Sequence, residues 1–187
     1  AVAWLKRVRP PIRGAATVAA EAEAAGVARA VLEGHVQEVE HVRADPGGRF
    51  VASASRDGAV ILWSIATGAA ERIEHGARVS ALAFSEDGAH LASGAYDGTV
   101  RVVRPSAPER RRATPPARGH QAPVVAIGFA PSGDRLVSLG RDRRLILWTL
   151  DGRRAEVIET PPVGDWADLA FVDEGRTVVT GGHGSRA

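Results

Sequence analysis

His35, Ser53 and Asp57 are the residue types that can turn a hydroxyl into a nucleophile: a serine to attack, an imidazole to take its proton, a carboxylate to orient the imidazole. The trio returns as His75, Ser93 and Asp97, and again as His120, Ser138 and Asp142, with Ser four residues before Asp each time. Trp63 and Trp148, six residues beyond their Asp, each add one indole N–H donor, while the middle copy has Val103 there. Recurrence argues against catalysis. An active site needs to exist once, whereas a brace must occur in every unit it holds. Each Asp is also read into a turn, where backbone amides engage its carboxylate. No catalytic residue is assigned, and bracing is the expected role of all eleven positions: His35, Ser53, Asp57, Trp63, His75, Ser93, Asp97, His120, Ser138, Asp142 and Trp148.

Such residues need strands to hold them. From Arg29 onward the chain is short apolar runs, many alternating, separated by Gly, Asp, Pro and Ser, which reads as β-strands joined by tight turns. Superimposing the chain on itself shows the period. The stretch "ASRDGAVILWS" at residues 54–64 is matched forty residues later by "ASGAYDGTVRVVR", and a further shift of 45 reaches "RDRRLILW". A fourth copy starts at "DLAFVDEGRTVVTGG", with Phe171, Gly175 and Thr180 in the places of Phe129, Gly133 and Ser138. Four residues before the Asp position the copies read Ser, Ser, Ser and Thr; two before it they read Ser55, Ala95, Gly140 and Gly182.

A period of about 40 to 45 residues with four strands per unit is that of a propeller blade. In "EGHVQEV…DPGGRFVASASRDGAVILW" and "RGHQAPVVAIGFAPSGDRLVSLGRDRRLILW" the chain resembles the WD-repeat β-propellers, over roughly residues 29–184. It departs from them in places. Ser64 and Thr149 follow Trp where Asp is usual, Val103 replaces a Trp, Glu74 precedes His75, and Pro162 and Gly184 fall where His and Asp would stand.

The resemblance implies an all-β fold of four-stranded antiparallel blades, with about three full blades and a partial fourth, in a ring that this chain does not close. The repeats fall near residues 29–68, 69–110, 111–153 and 154–187, with an outer strand around "ARAVLE". Closed propellers need about four to eight blades, so the expectation is an incomplete sequence or one that pairs with another copy. The resemblance also implies that the residue before each turn Asp faces the top surface: Arg56, Tyr96, Arg141 and His183. Arg and Tyr are frequent interface anchors, so the expected partner is a protein or peptide. The function read is a noncatalytic interaction scaffold or sensory module, part of a larger bacterial regulatory protein. The alternatives are a propeller enzyme or a nucleic-acid-associated module.

Composition sets the remaining bounds. The chain has 187 residues and a 44% hydrophobic fraction, enough for a core. Without cysteine it is neither a disulfide scaffold nor a thiolate metal site, and a cytoplasmic location is expected. The pI of about 9.9 overstates a formal charge of only +2, because almost nothing titrates between pH 8 and 10. The Arg-, Ala- and Gly-rich composition suggests a GC-rich bacterial genome. Residues 1–28 read as a linker or helical segment, with "AVAWL" before Lys6 as the end of a membrane segment in the alternative reading. The six His are not spaced as metal ligands, and "GGHGSRA" lacks the Lys and Ser/Thr of a phosphate loop. Arg110, Arg111 and Arg112 read as a solvated loop, with an acidic partner or nucleic-acid backbone as the alternative. No cofactor, metal or small-molecule substrate is expected.

Overall fold

Alternation with a period of two builds each sheet. In β2 (Phe50–Ser55), Ala52 and Ala54 leave on one face and Ser53 and Ser55 on the other, because successive side chains of a strand point to opposite sides. The computed structural model describes residues 32–106, 117–150, 154–161 and 167–182. The chain divides into two units, Ala1–Val36 and Gln37–Ala187. Of the first, the described residues 32–36 carry no regular element, and His35 among them is half-buried.

The second unit is all-β, the class read from the sequence. β1 (Val39–Ala44), β2, β3 (Ala59–Ser64) and β4 (Ala70–Glu74) form one antiparallel sheet in chain order. β5 (Val79–Phe84), β6 (Leu91–Ala95), β7 (Thr99–Val103) and β8 (Ala117–Arg118) form a second. A third contains β9 (Val124–Phe129), β10 (Arg135–Gly140), β11 (Arg144–Thr149) and β12 (Arg154–Glu159). β13 (Ala167–Val172) and β14 (Thr177–Gly182) pair as a fourth, two-stranded sheet. First strands are neighbours: β5 lies against β1 and β9, and β13 against β9. The sheets are blades of an arc, and the ring is not closed.

Tight turns set the register. Gly58 (φ 82°) and Gly98 (φ 80°) take the left-handed conformation after the turn Asp of blades one and two, where glycine has no Cβ to clash. Blade three has Arg143 (φ 62°) at that point. The first strands of blades one, two and three also carry an irregularity at their start, which leaves Glu40, Ser80 and Val125 out of the pairing with the second strand. Such a bulge re-aims a side chain.

Burial between blades supplies the core. Ala52, Ala54, Val60 and Leu62 of blade one pack with Val79, Leu82, Leu91 and Val103 of blade two. Ala92, Val100 and Val102 of blade two pack with Val124, Phe129, Leu136, Ile146 and Trp148 of blade three. On its other face, blade three sets Val137, Leu139 and Leu145 against Leu169, Phe171 and Val178. Small residues bring blades close. A Cβ on Gly94 would fall 2.8 Å from Val124 Cβ, and the Ser80 hydroxyl donates across the same interface to the Val124 carbonyl at 2.6 Å. The segment 1–28, the strand start at residues 28–31, Arg110–Arg112, Pro162, His183, Gly184 and the rest of the C-terminal Gly-rich stretch beyond Gly182 lie outside the described residues.

Candidate functional site

The polar sets stand where one blade meets the next, since His35, His75 and His120 each precede the first strand of their blade by four residues. In blade three, His120 Nδ1 lies 2.9 Å from Asp142 Oδ1 and Nε2 lies 2.7 Å from Ser138 Oγ, to which Trp148 Nε1 donates at 2.8 Å. One proton arrangement satisfies every group: Trp148 donates to Ser138, Ser138 to Nε2, and Nδ1–H to Asp142. The imidazole is therefore neutral. Burial pushes His120 down from its ordinary value by more than the hydrogen bond and charge of Asp142 pull it up. The other Asp142 oxygen accepts from the Gln121 amide at 2.9 Å.

Blade two is wired differently. His75 Nε2 sits 2.6 Å from Ser93 Oγ, but its Nδ1 faces Thr99 Oγ1 at 3.5 Å, and Thr99 donates in turn to Asp97 Oδ1 at 2.7 Å. Asp97 thus acts one residue removed from the ring. The cause is a methyl group. A Cβ built on Gly140 would stand inside contact distance of both His120 Nδ1 and Asp142 Oδ1, whereas the matching residue in blade two is Ala95. Burial, with the Arg101 charge added, pushes the His75 imidazole down to about 4, against a smaller upward pull from Asp97.

In blade one Trp63 donates to Ser53 Oγ at 3.0 Å, and the Asp57 carboxylate accepts from the Ala59 amide at 3.1 Å and from Arg72 at 3.2 Å. Ser55, at the Gly140 position, donates to the Gln37 carbonyl and accepts from the Asp57 amide. Removing Asp142 would strand the His120 N–H and the Gln121 amide, both otherwise engaged. Asp142→Ala is expected to cost about 2 kcal/mol, and Asp97→Ala about half as much because Thr99 still receives His75. Urea titration of both variants measures the difference; equal losses would contradict it.

The residue before each turn Asp is anchored in the same way. The amides of Arg56, Tyr96 and Arg141 donate to the carbonyls of Glu38, Arg78 and Pro123, at 3.0, 2.9 and 2.9 Å. The side chains of the first two are connected across the blades. Arg56 pairs with Glu38 at 2.8 Å and with Glu40 at 2.6 Å. Arg78 grips the same Glu40 with two nitrogens, at 2.6 and 2.8 Å, and lies 4.2 Å from the centre of the Tyr96 ring. Burial pushes the Glu40 carboxyl up, but hydrogen bonds and charge from Arg78 and Arg56 outweigh it and hold it below the usual range. Arg56 and Tyr96 thus belong to one lattice across two blades, and Arg141 is exposed on the third. Sequence reasoning missed Glu40, Arg78, Thr99 and Gly140. Only Gly140 had a signal there, in the series Ser55, Ala95, Gly140.

A concavity of about 560 Å³ runs along the first strands, with His41, Arg43, Ser80, Ala126 and Asp168 in its lining. Among the described residues no three His, Asp or Glu side chains converge as metal ligands. In blade four the amide that takes the carbonyl of the preceding blade's turn is that of Thr160, donating to Arg143 at 2.8 Å, as His75 donates to Gly58.

The family profile described as "WD domain, G-beta repeat" matches residues 26–64, 70–103 and 113–149. WD repeat-containing protein 1 of Bos taurus is 32% identical over 152 residues, covering 78% of this chain and 25% of that protein. Ribosome biogenesis protein YTM1 of Candida glabrata is 35% identical over 106 residues, 56% of this chain and 22% of that one. The chain spans about a quarter of the length of these curated relatives. Among solved structures, "Structure of U3-55K" matches with a TM-score of 0.64 at 23% identity, covering 73% of this chain and 44% of that chain. That likeness is one of fold.

Proposed function

The chain belongs to the WD40 family of repeat β-propellers, and from that premise we propose that it is the noncatalytic docking part of a larger bacterial regulatory protein, engaging a protein or peptide partner through the edge that carries Arg56, Tyr96 and Arg141. Domains of this family generally serve as protein–protein interaction scaffolds. The observation that carries the reading is the Arg56–Glu40–Arg78–Tyr96 lattice, which holds a cation and an aromatic ring in fixed positions across two blades. Preorganised Arg and Tyr side chains lose little freedom on binding, which is what an interface anchor requires. His183 would extend the edge to the fourth blade. The bacterial setting is supported by composition: a single Lys among many Arg, in an Ala- and Gly-rich chain.

The test is retention of proteins from a cell extract by the immobilised chain, wild type against an Arg56→Glu, Tyr96→Ala double variant. Partners retained by the wild type are expected to fall about tenfold in the variant, with the β-sheet circular dichroism unchanged. An identical set of proteins on both would overturn the reading.

A further inference from the structure

His41, Ala81, Ala126 and Asp168 lie opposite Ala54, Gly94, Leu139 and Gly181 of the second strands, so they hold the same place in four successive blades. All four line the concavity of about 560 Å³ along the first strands. The two inner positions are alanines, 4% and 6% exposed, which let neighbouring blades approach. The two outer positions carry ionisable side chains. Blade packing accounts for the alanines but not for a histidine at one end of the row and a carboxylate at the other.

A second charge stands at the blade-one end. Arg43, two residues along β1 from His41, lines the same concavity and is exposed. Its Nη1 donates to the carbonyl of its own neighbour Val42 at 3.1 Å, and no carboxylate among the described residues pairs with it. Asp168 is exposed as well, with one oxygen accepting from the adjacent Leu169 amide at 2.9 Å and no cation paired to it among the described residues. The two opposite charges therefore face one concavity without meeting. His41 adds no charge of its own. Burial, with the Arg43 charge added, pushes its imidazole down against the pull of its hydrogen bond to the Ser80 backbone. The Ser80 hydroxyl is committed to the Val124 carbonyl, so the wall between the two charges is apolar in side chain, with Ala81, Val125 and Ala126 along it.

We propose that this concavity binds a short peptide segment of mixed charge from the partner, with an acidic side chain on Arg43 and a basic one on Asp168. Its volume falls in the range of ligand sites, with a mostly apolar wall and a few polar groups to fix orientation. A guanidinium takes a carboxylate in a two-pronged geometry, and a carboxylate takes either Lys or Arg. Walls of low dielectric on either side strengthen both contacts relative to an open surface. The inference rests on the scaffold reading above and specifies the chemistry of a segment that its partner presents.

The experiment titrates the ¹⁵N-labelled chain at low salt with the capped peptide acetyl-Glu-Ala-Ala-Arg-amide, and reads both affinity and location from the backbone amide shifts. Wild type is compared with Arg43→Gln, Asp168→Asn and Arg135→Gln, the last removing an exposed cation outside the concavity. Shifts are expected at Ser80, Ala81 and Ala126. Arg43→Gln and Asp168→Asn are each expected to bind about fivefold more weakly, and Arg135→Gln like wild type. Unchanged affinity in both concavity variants, an equal loss in Arg135→Gln, shifts confined to other surfaces, or equal affinity for an all-Glu or all-Arg peptide of the same length would overturn the proposal. If the peptide result fails while the Arg56, Tyr96 variant still loses its partners, the scaffold reading stands and only this site falls.

Discussion

Gly140→Ala is expected to destabilise the protein by about 3 kcal/mol, although it adds one methyl group at a backbone conformation that any residue can adopt. The new Cβ would lie between His120 Nδ1 and Asp142 Oδ1 and push apart the pair that blade three uses as its brace. Forcing extra volume into a packed site costs about 1–3 kcal/mol, and separating a buried donor from its acceptor about as much again. Blade two suggests the remedy. With Ala95 at this position, His75 reaches its Asp through Thr99, whose counterpart in blade three is Arg144. The double variant Gly140→Ala, Arg144→Thr is expected to recover about 1 kcal/mol of the loss, as contacting residues do when they are changed together. Urea titrations of the single and double variants check this; no loss in the single variant would show that the His120–Asp142 contact carries no stability.

The second large effect is acid lability at mildly acidic pH. His75 is held neutral by burial and by Arg101, with its value down to about 4, while in the unfolded chain it titrates near 6.5. The unfolded state therefore takes up a proton that the folded state refuses. Stability is fully present above about pH 6.5 and is lost as the pH falls toward 4, by about 3 kcal/mol from this group. His120, also pushed down, adds to the loss in the same direction. Below about pH 4.5 the depressed carboxyls Glu40 and Asp45 begin to contribute, because their pairing with Arg78, Arg56 and Arg49 requires the charged form. His75→Gln separates the terms: it is expected to be less stable than wild type at pH 7 but to lose less between pH 7 and pH 4.5. A variant that falls as steeply as the wild type would exclude His75 as the source.

The blades were legible in the sequence because their signals repeat. Ser before an Asp turn, Trp beyond it and His ahead of both mark the same positions in successive copies, and period-two alternation identifies the strands between them. What recurred in most copies by residue type was read; what depended on the space left by a neighbour was not. Gly140 and Ala95 differ by one methyl, and only the packed geometry reveals that this methyl decides whether His meets Asp directly or through Thr99. Glu40 and Arg78 escaped for the opposite reason. They sit at positions where the other blades have Ser80 and Val125, or Glu38 and Pro123, so no series pointed to them. Their partnership arises because a bulge re-aims Glu40 and because the two blades are adjacent in space. The positive φ of Arg143 was hidden because the sequence has arginine where the first two copies have Gly58 and Gly98, and residue type alone does not show the conformation that the turn imposes.

The central claim is that the recurring Ser, His and Asp residues brace the blades and do not transfer protons to a substrate. It is tested most directly by NMR of the His75 and His120 rings, with ¹⁵N chemical shifts followed from pH 8 to pH 4. The account predicts the Nδ1–H tautomer at both residues, with His120 titrating below its ordinary value and His75 staying neutral until about pH 4. Rings that titrate near 6.5 with a free Nε2–H would be exposed and able to act in acid–base chemistry, and would contradict the account.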